Sequence, residues 1–247
     1  MYLKQKSYLR LERILLMSTF LVMALVSSVS AQFLIGAQTG VNLNQFTMPG
    51  TTIGINAGAF GSYKFLPFLS ARLEIMYSQE GGGRQNYLFP MAGGSTLPEL
   101  RTNILSINYI NPYVYIHNLH VPLMVELSLP EFDQASVVPK LLLGGSYSYM
   151  ISANEMHTKL YTFTDGTFAN VPYLTEVVTA DYVASQISIL AGLGIDIKGE
   201  KRNFSFDIRY RQGITQLNNI KESFSNKDGR LFSSTLSFNF SMSIFKF

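Results

Sequence analysis

The sequence predicts an all-β protein, an eight-stranded antiparallel up-and-down transmembrane β-barrel with short periplasmic turns and longer extracellular loops. Three observations favour this fold: eight segments alternate between apolar and polar residues, their connections alternate between short and long, and aromatic residues lie near both ends of the segments. The 247 residues are 47% hydrophobic and only 14% charged, which excludes a disordered chain. Since cysteine is absent, we also exclude disulfide frameworks and thiolate metal sites.

The first 31 residues have the pattern of a cleaved secretory signal peptide. Four basic residues between Lys4 and Arg13 precede an apolar run at residues 14–26, which gives way to small residues ending at Ala31. With Glu12 this segment carries a net +3, equal to the +3 of the whole chain, so the mature barrel domain, residues 32–247, is predicted to be neutral. A single-pass anchor is the alternative, but the run is shorter than the roughly 20 residues that span a bilayer.

The first three predicted strands form a meander. In residues 35–43 the odd positions, from Ile35 to Leu43, form the apolar face, and glycines or polar residues occupy the even positions. Residues 53–64 and 69–78 repeat this period of two, which a strand can use and a helix cannot.

Five further segments bring the number of predicted strands to eight. They are residues 119–129, 141–151, 187–198, 204–211 and 236–244. The alternation slips at Phe245 and Phe247, which predicts a β-bulge or the strand end.

The connections between these strands have two lengths. Those at residues 66–68, 130–139 and 199–203 are short, and those at residues 79–118, 152–182 and 213–230 are long. Short turns on the side of both termini and long loops on the other side are typical of outer-membrane barrels. The connection at residues 46–52 is short and departs from this trend.

Aromatic side chains favour the barrel over a soluble β-sandwich, which is the alternative fold. Tyr63 and Phe204 lie near the predicted short turns, whereas Tyr77 and Tyr210 lie near the long loops. Two such girdles are expected at the two surfaces of a membrane.

Five segments carry a resemblance to a known family. They are residues 35–43, 120–126, 139–145, 191–195 and 207–213. In this order they resemble the PorT-like outer-membrane β-barrel family of Bacteroidota, whose barrels are similar to those of OmpA and OmpX. The resemblance implies an eight-stranded barrel in the cell outer membrane with periplasmic termini. For the protein after which the family is named, membership implies a part in the type IX secretion system.

Charged residues on the inward parity predict a network that fills the lumen. An eight-stranded barrel is just wide enough for side chains, and isolated charges in it would be costly, so we expect them to pair. A selective path for a small ion or solute is the alternative. The predicted network consists of Lys64, Arg72, Glu74, Glu126, Lys140, Asp196, Asp207, Arg209 and Arg211.

The sequence predicts no catalytic residue, no cofactor and no metal site. His117 and His120 are three residues apart on a predicted strand, so they point to opposite faces and do not form a shared site. They and His157 are predicted to be structural residues of the rim and loops. The glycines at residues 81–83 and 93–94 lack a phosphate-loop lysine and are predicted to be flexible loop.

The stretch at residues 104–116 is too apolar for a solvent-exposed loop. It is predicted to cover the barrel mouth, to extend the neighbouring strands or to contact a partner through Tyr109, Ile110, Tyr113, Tyr115 and Ile116.

We therefore predict a non-enzymatic barrel that is a structural or accessory subunit of a larger outer-membrane assembly. Its predicted partners are outer-membrane lipid or lipopolysaccharide and another outer-membrane protein, with no nucleic acid. A stand-alone adhesin-like barrel and a lipid-modifying enzyme are the alternatives.

Overall fold

Ten β-strands make up most of the part of the chain that the computed structural model describes, residues 32–84, 86–90, 104–129, 136–200, 202–218 and 230–247. The predicted signal peptide lies outside these residues. Among the described residues, no helix has the length and apolarity that crossing a bilayer requires. The strands are β1 (Gln32–Phe46), β2 (Thr51–Leu66), β3 (Leu69–Gly83), β4 (Tyr87–Pro90), β5 (Ile104–Ser128), β6 (Val137–Phe163), β7 (Phe168–Val177), β8 (Ser185–Ile197), β9 (Phe204–Gly213) and β10 (Ser233–Lys246).

Eight of these strands close into a ring in the order β1-β2-β3-β5-β6-β8-β9-β10, with β10 hydrogen-bonded back to β1. Each neighbouring pair is antiparallel, for example β5 with β6 and β9 with β10. Closure pairs the backbone groups that an open sheet would leave at its edges. The eight-stranded antiparallel barrel predicted from the alternation is thus confirmed.

The side chains of the ring are arranged inside out relative to a soluble protein. Ile53, Leu123 and Leu193 lie on the outward parity and are 60 to 69% exposed. The intervening residues, such as Arg72 and Asn42, are buried inside the ring. An apolar exterior around a polar interior contradicts the soluble β-sandwich considered as the alternative fold.

The predicted slip near the C-terminus is confirmed as a β-bulge. Ile35 pairs with Phe245 and Gly36 pairs with Ser243, so Ile244 has no direct partner on β1. The bulge turns the outward parity over at the last residues of the chain.

The prediction of long loops at residues 79–118 and 152–182 is wrong, because much of each segment forms β-strand. β5 and β6 have 25 and 27 residues, far more than the roughly 9–11 that cross a bilayer. Beyond the ring, β4 pairs with β5 and β7 pairs with β6. We call this four-stranded region the outer extension: β4, residues 104–116 of β5, residues 153–163 of β6, and β7.

Two irregularities explain why the alternation did not reveal these strands. Asn111 has a φ of 50°, and the register between β5 and β6 shifts between Ile110 and Tyr113. A second shift leaves Ile151 without a direct partner. Each shift exchanges the inward and outward parity, so a single period of two does not run through either strand.

The glycines at residues 81–83 are part of β3, so their prediction as flexible loop is wrong. A Cβ on Gly82 would lie 2.7 Å from Cγ of Phe46 and 2.6 Å from its backbone nitrogen. This close approach lets Phe46 pack with Val114, Ile116 and Leu231 in an apolar cluster at the mouth of the lumen. The second predicted glycine loop, residues 93–94, lies outside the described residues.

Candidate functional site

The lumen contains a network of buried charges centred on Glu74. Its Oε1 accepts a hydrogen bond from Nε of Arg72 at 2.6 Å, and its Oε2 accepts one from a terminal nitrogen of Arg209 at 2.7 Å. Arg209 also pairs with Asp207 at 2.6 Å. The side-chain oxygen of Gln38 accepts from Arg72 at 2.5 Å. The centre of the network therefore joins β1, β3 and β9.

A second group of charges lies nearer the short turns. Nζ of Lys140 is 3.0 Å from Oε1 of Glu126 and 2.7 Å from Oδ1 of Asp196. Arg72 connects this group to the centre, since it lies 3.6 Å from the same Glu126 oxygen. These contacts bring β5, β6 and β8 into the network.

A third group lies nearer the outer extension. Arg211 is 2.7 Å from Oε1 of Glu80 and 2.9 Å from the ring nitrogens of His120. Nδ1 of His120 is also 2.8 Å from the Ser148 hydroxyl oxygen. Glu80 and His120 were absent from the predicted network. The sequence could have predicted both residues, because each lies on the inward parity of its strand.

Amide side chains connect the remaining strands. Nδ2 of Asn56 donates to Oδ1 of Asn42 at 2.7 Å and to Oδ1 of Asn239 at 3.0 Å. Nδ2 of Asn239 in turn donates to Asp207 at 2.8 Å. All eight strands of the ring thus contribute a side chain to the network.

The network nearly balances its charges and leaves little space. It pairs four cations, Arg72, Lys140, Arg209 and Arg211, with five carboxylates, Glu74, Glu80, Glu126, Asp196 and Asp207. Two cavities beside these side chains have volumes of about 20 and 40 Å³, which is room for one or a few water molecules.

The structure brings eight of the nine predicted lumen residues together in these contacts. Lys64, the ninth, also has a partner, and it is partly exposed near the turn end of β2. Asp196 retains an exposed side-chain fraction of 31% although it pairs with Lys140.

A separate group of charges lies in the outer extension. Arg84 is 2.9 Å from Glu155, whose other oxygen is 3.1 Å from Nδ1 of the fully buried His157. Nε2 of His157 is 3.6 Å from Glu176 on β7, and Glu176 pairs with Lys159. Burial lowers the pKa of Lys159, but the Glu176 carboxylate and neighbouring phenol groups outweigh it, so the pKa lies above its ordinary value. These charges hold β7 against β6.

The predicted contact residues lie on β5 within or next to the outer extension. Tyr109 is half-buried, with its ring centroid 4.8 Å from that of His157. Ile116 is buried in the mouth cluster, so it does not form a contact surface. Ile110, Tyr113 and Tyr115 are partly exposed.

The largest exposed apolar side chains of the outer extension were not predicted. On β7, Phe168 is 68% exposed, Tyr173 82% and Val177 78%. The sequence around them contains Pro172 and no clear alternation, so no strand was recognised there.

The histidines of β5 point to opposite faces, as their spacing predicted. His120 is inside the ring, whereas Nδ1 of His117 is 2.5 Å from the hydroxyl oxygen of the outward-facing Tyr77. Over the described residues, no group of three His, Cys, Asp or Glu side chains is placed to hold a metal ion.

Comparison of the sequence with known protein families identifies the family of this barrel. The sequence profile of a family described as outer membrane protein beta-barrel domain matches residues 26–219. The chain belongs to this family. The protein is therefore an outer-membrane β-barrel, as predicted. No curated protein matches its sequence.

Solved structures similar to this outer-membrane β-barrel share little sequence with it. Neisserial surface protein A is 12% identical, with 88% of this chain and 100% of that chain covered and a TM-score of 0.42. OprG from Pseudomonas aeruginosa is 10% identical, with 88% and 95% covered and a TM-score of 0.42. Ail of Yersinia pestis, solved with the heparin analogue sucrose octasulfate, is 11% identical, with 89% and 100% covered and a TM-score of 0.37.

Proposed function

We propose that this outer-membrane β-barrel is a non-enzymatic structural or accessory subunit of a larger outer-membrane assembly. Its termini and short turns lie in the periplasm, and the outer extension lies outside the cell. The observation that carries the proposal is the exposure of three large apolar side chains along β7, Phe168, Tyr173 and Val177. Large apolar side chains exposed beyond the membrane favour a protein partner.

The free edge of β7 supports the same proposal. β7 pairs with β6 on one side, and no described strand pairs with its other side. An unpaired edge presents backbone donors and acceptors to an incoming strand or loop. The partner is accordingly a protein that contacts both the edge and the apolar side chains.

The filled lumen supports a function on the exterior of the barrel. Arg72, Glu74 and Arg209 occupy the centre of the ring, and the cavities beside the network have room for water alone. His120 and Ser148 form a pair inside the same network, where a lipid substrate has no access. A transport role and a lipid-modifying activity are both disfavoured by this burial.

The test is affinity purification of the tagged barrel from gently solubilised outer membranes, followed by mass spectrometry. We expect a large outer-membrane protein in stoichiometric amount. The triple variant Phe168→Ser, Tyr173→Ser, Val177→Ser should lose it, whereas Ile214→Ser, which changes an exposed apolar residue away from β7, should retain it. Recovery of the wild-type barrel alone contradicts the proposal.

Two further assays separate the alternatives. A stand-alone adhesin exposes β7 on intact cells, so surface proteolysis would cleave it as fast as in the purified barrel. A lipid-modifying enzyme changes the mass of lipid A, and deletion of the gene would reveal it. An assembly related to secretion is the narrower form of the proposal, and it rests on the PorT-like resemblance.

A further inference from the structure

An apolar groove crosses the outward face of β2, β1, β10, β9 and β8, and it is centred on β10, which lies opposite β5 in the ring. Its wall on the side of the long loops consists of Ile55, Val41, Phe238, Ile208 and Leu193, which are neighbours in successive strand pairs. All five side chains are exposed on the lipid-facing surface. The groove thus opens into the hydrocarbon of the membrane.

The opposite wall follows the same ladder two residues nearer the short turns. It consists of Thr39, Phe240, Phe206 and Ile195. Residues two apart on a strand are ~6.8 Å apart, and four inter-strand spacings give the groove a length of ~19 Å. Its volume is about 720 Å³.

The walls present no free polar group to the groove. Thr39 carries the one wall hydroxyl, and this hydroxyl donates to the backbone oxygen of Asn56 at 3.1 Å. The charged side chain of Asp207 points to the lumen, so only its backbone contributes to the floor. A hydrocarbon ligand is the chemistry that matches such a lining.

A strip of small side chains leads from the groove toward the short turns. Thr39 pairs with Ala57, and Ala37 pairs with Ala59, so the outward surface is low along β1 and β2. Ala37 also pairs with Met242 of β10. The exposed guanidinium of Arg202 lies on this outward face, with a terminal nitrogen 3.6 Å from the sulfur of Met242.

We infer that this surface binds one phospholipid of the periplasmic leaflet, with its phosphate at Arg202 and one acyl chain along the strip and in the groove. The orientation rests on the proposed function, which places the short turns in the periplasm. Glu200, on the same turn, is the opposing charge, and Arg202 is the group that lies on the lipid-facing surface.

The size of the groove favours a lipid chain over a protein partner. The volume of about 720 Å³ is in the range of small-molecule sites. The floor between the two walls measures only ~19 Å by ~6.8 Å, far less than the ~1,000 Å² that a stable protein interface buries. A chain in the groove gains dispersion contacts on three sides, where a chain on a flat barrel surface gains them on one.

The test is native mass spectrometry of the full-length barrel extracted from outer membranes in mild detergent. We expect one phospholipid to remain bound to the wild type. Thr39→Phe, which blocks the path into the groove, should lower the retained fraction about tenfold, equivalent to ~1.4 kcal/mol. Ala71→Phe, the same bulk on the outward face of β3, should retain the lipid. Arg202→Gln should also reduce retention.

Several outcomes overturn the inference. These are a wild type without bound phospholipid, equal retention by Thr39→Phe, an adduct with the mass of lipopolysaccharide, and a dimer that Thr39→Phe dissociates. Heat-modifiable migration on gels verifies that each variant is folded. The β7 triple variant should keep its phospholipid, and Thr39→Phe should keep its protein partner, so failure of one proposal is distinguishable from failure of the other.

Discussion

Arg209 and Glu74 form a bidentate ion pair across the lumen. Terminal nitrogens of Arg209 on β9 lie 2.7 and 3.0 Å from the two carboxylate oxygens of Glu74 on β3, 135 residues away in the sequence. In the ring these strands are four positions apart in either direction, so they are opposite each other. Two parallel charge-assisted bonds fix this geometry and obstruct the axis of the barrel.

Neutralising Glu74 should destabilise the barrel strongly. Glu74→Gln leaves the buried guanidinium groups of Arg72 and Arg209 without their shared carboxylate, and breaking a buried pair in this way costs ~3–5 kcal/mol. The free energy of unfolding by urea in lipid vesicles measures the loss. Glu200→Gln, at an exposed turn, is the matched control and should have little effect. An unfolding free energy for Glu74→Gln within ~0.5 kcal/mol of wild type contradicts this prediction.

The filled lumen predicts a barrel that does not conduct. The wild type reconstituted in a planar bilayer should show no single-channel steps, because the network obstructs the axis. The double variant Glu74→Ala, Arg209→Ala removes the central pair and should introduce measurable conductance. Stable conductance by the wild type would favour the ion or solute path considered as the alternative.

The carboxylate of Glu155 should stabilise the outer extension and not the ring. Glu155→Gln removes its ion pair with Arg84 and its contact with His157, both outside the membrane. We expect β7 to become roughly tenfold more sensitive to limited proteolysis, the order of effect of losing a buried charged hydrogen bond. Gel migration should report an intact ring. Equal loss of ring and extension would show that the two regions unfold together.

The turn between β6 and β7 should loosen in acid. Backbone and hydroxyl groups of Thr167 donate to Oδ1 of Asp165 at 2.9 and 2.7 Å, which lowers the pKa of Asp165. A lowered pKa means that the stabilisation is complete above the ordinary aspartate value of ~3.9 and is lost as the pH falls through the folded-state pKa. Hydrogen exchange of the Thr167 amide, corrected for its intrinsic rate, should accelerate over that range. Asp165→Asn should show no such step.

The ring strands could be predicted from the sequence because each of them has lipid on one face and the lumen on the other. That environment imposes a period of two on residues such as Leu73 and Glu74, and it extends from the turn rim to the mouth. The predicted strand stopped at Ser78 and so missed Glu80, which continues the same parity inside the barrel.

The outer extension follows no single period, which is why the sequence predicted it only in part, as one of three alternatives for residues 104–116. Its strands lie outside the bilayer, and the shifts at Asn111 and Ile151 exchange their two faces. Pairing itself was predicted, but which charges pair with each other was beyond prediction. Parity places Glu74 and Arg209 in the lumen, but only ring closure determines that they face each other.

The most direct test of the account is site-specific photo-crosslinking in living cells. A photoreactive residue at Tyr173, on the exposed face of β7, should yield one discrete adduct with a large outer-membrane protein. The same residue at Leu123, on the lipid-facing surface of β5, is the control and should yield none. Absence of a protein adduct at Tyr173, with the barrel recovered alone, would contradict the claim that this outer-membrane β-barrel acts through its outer extension.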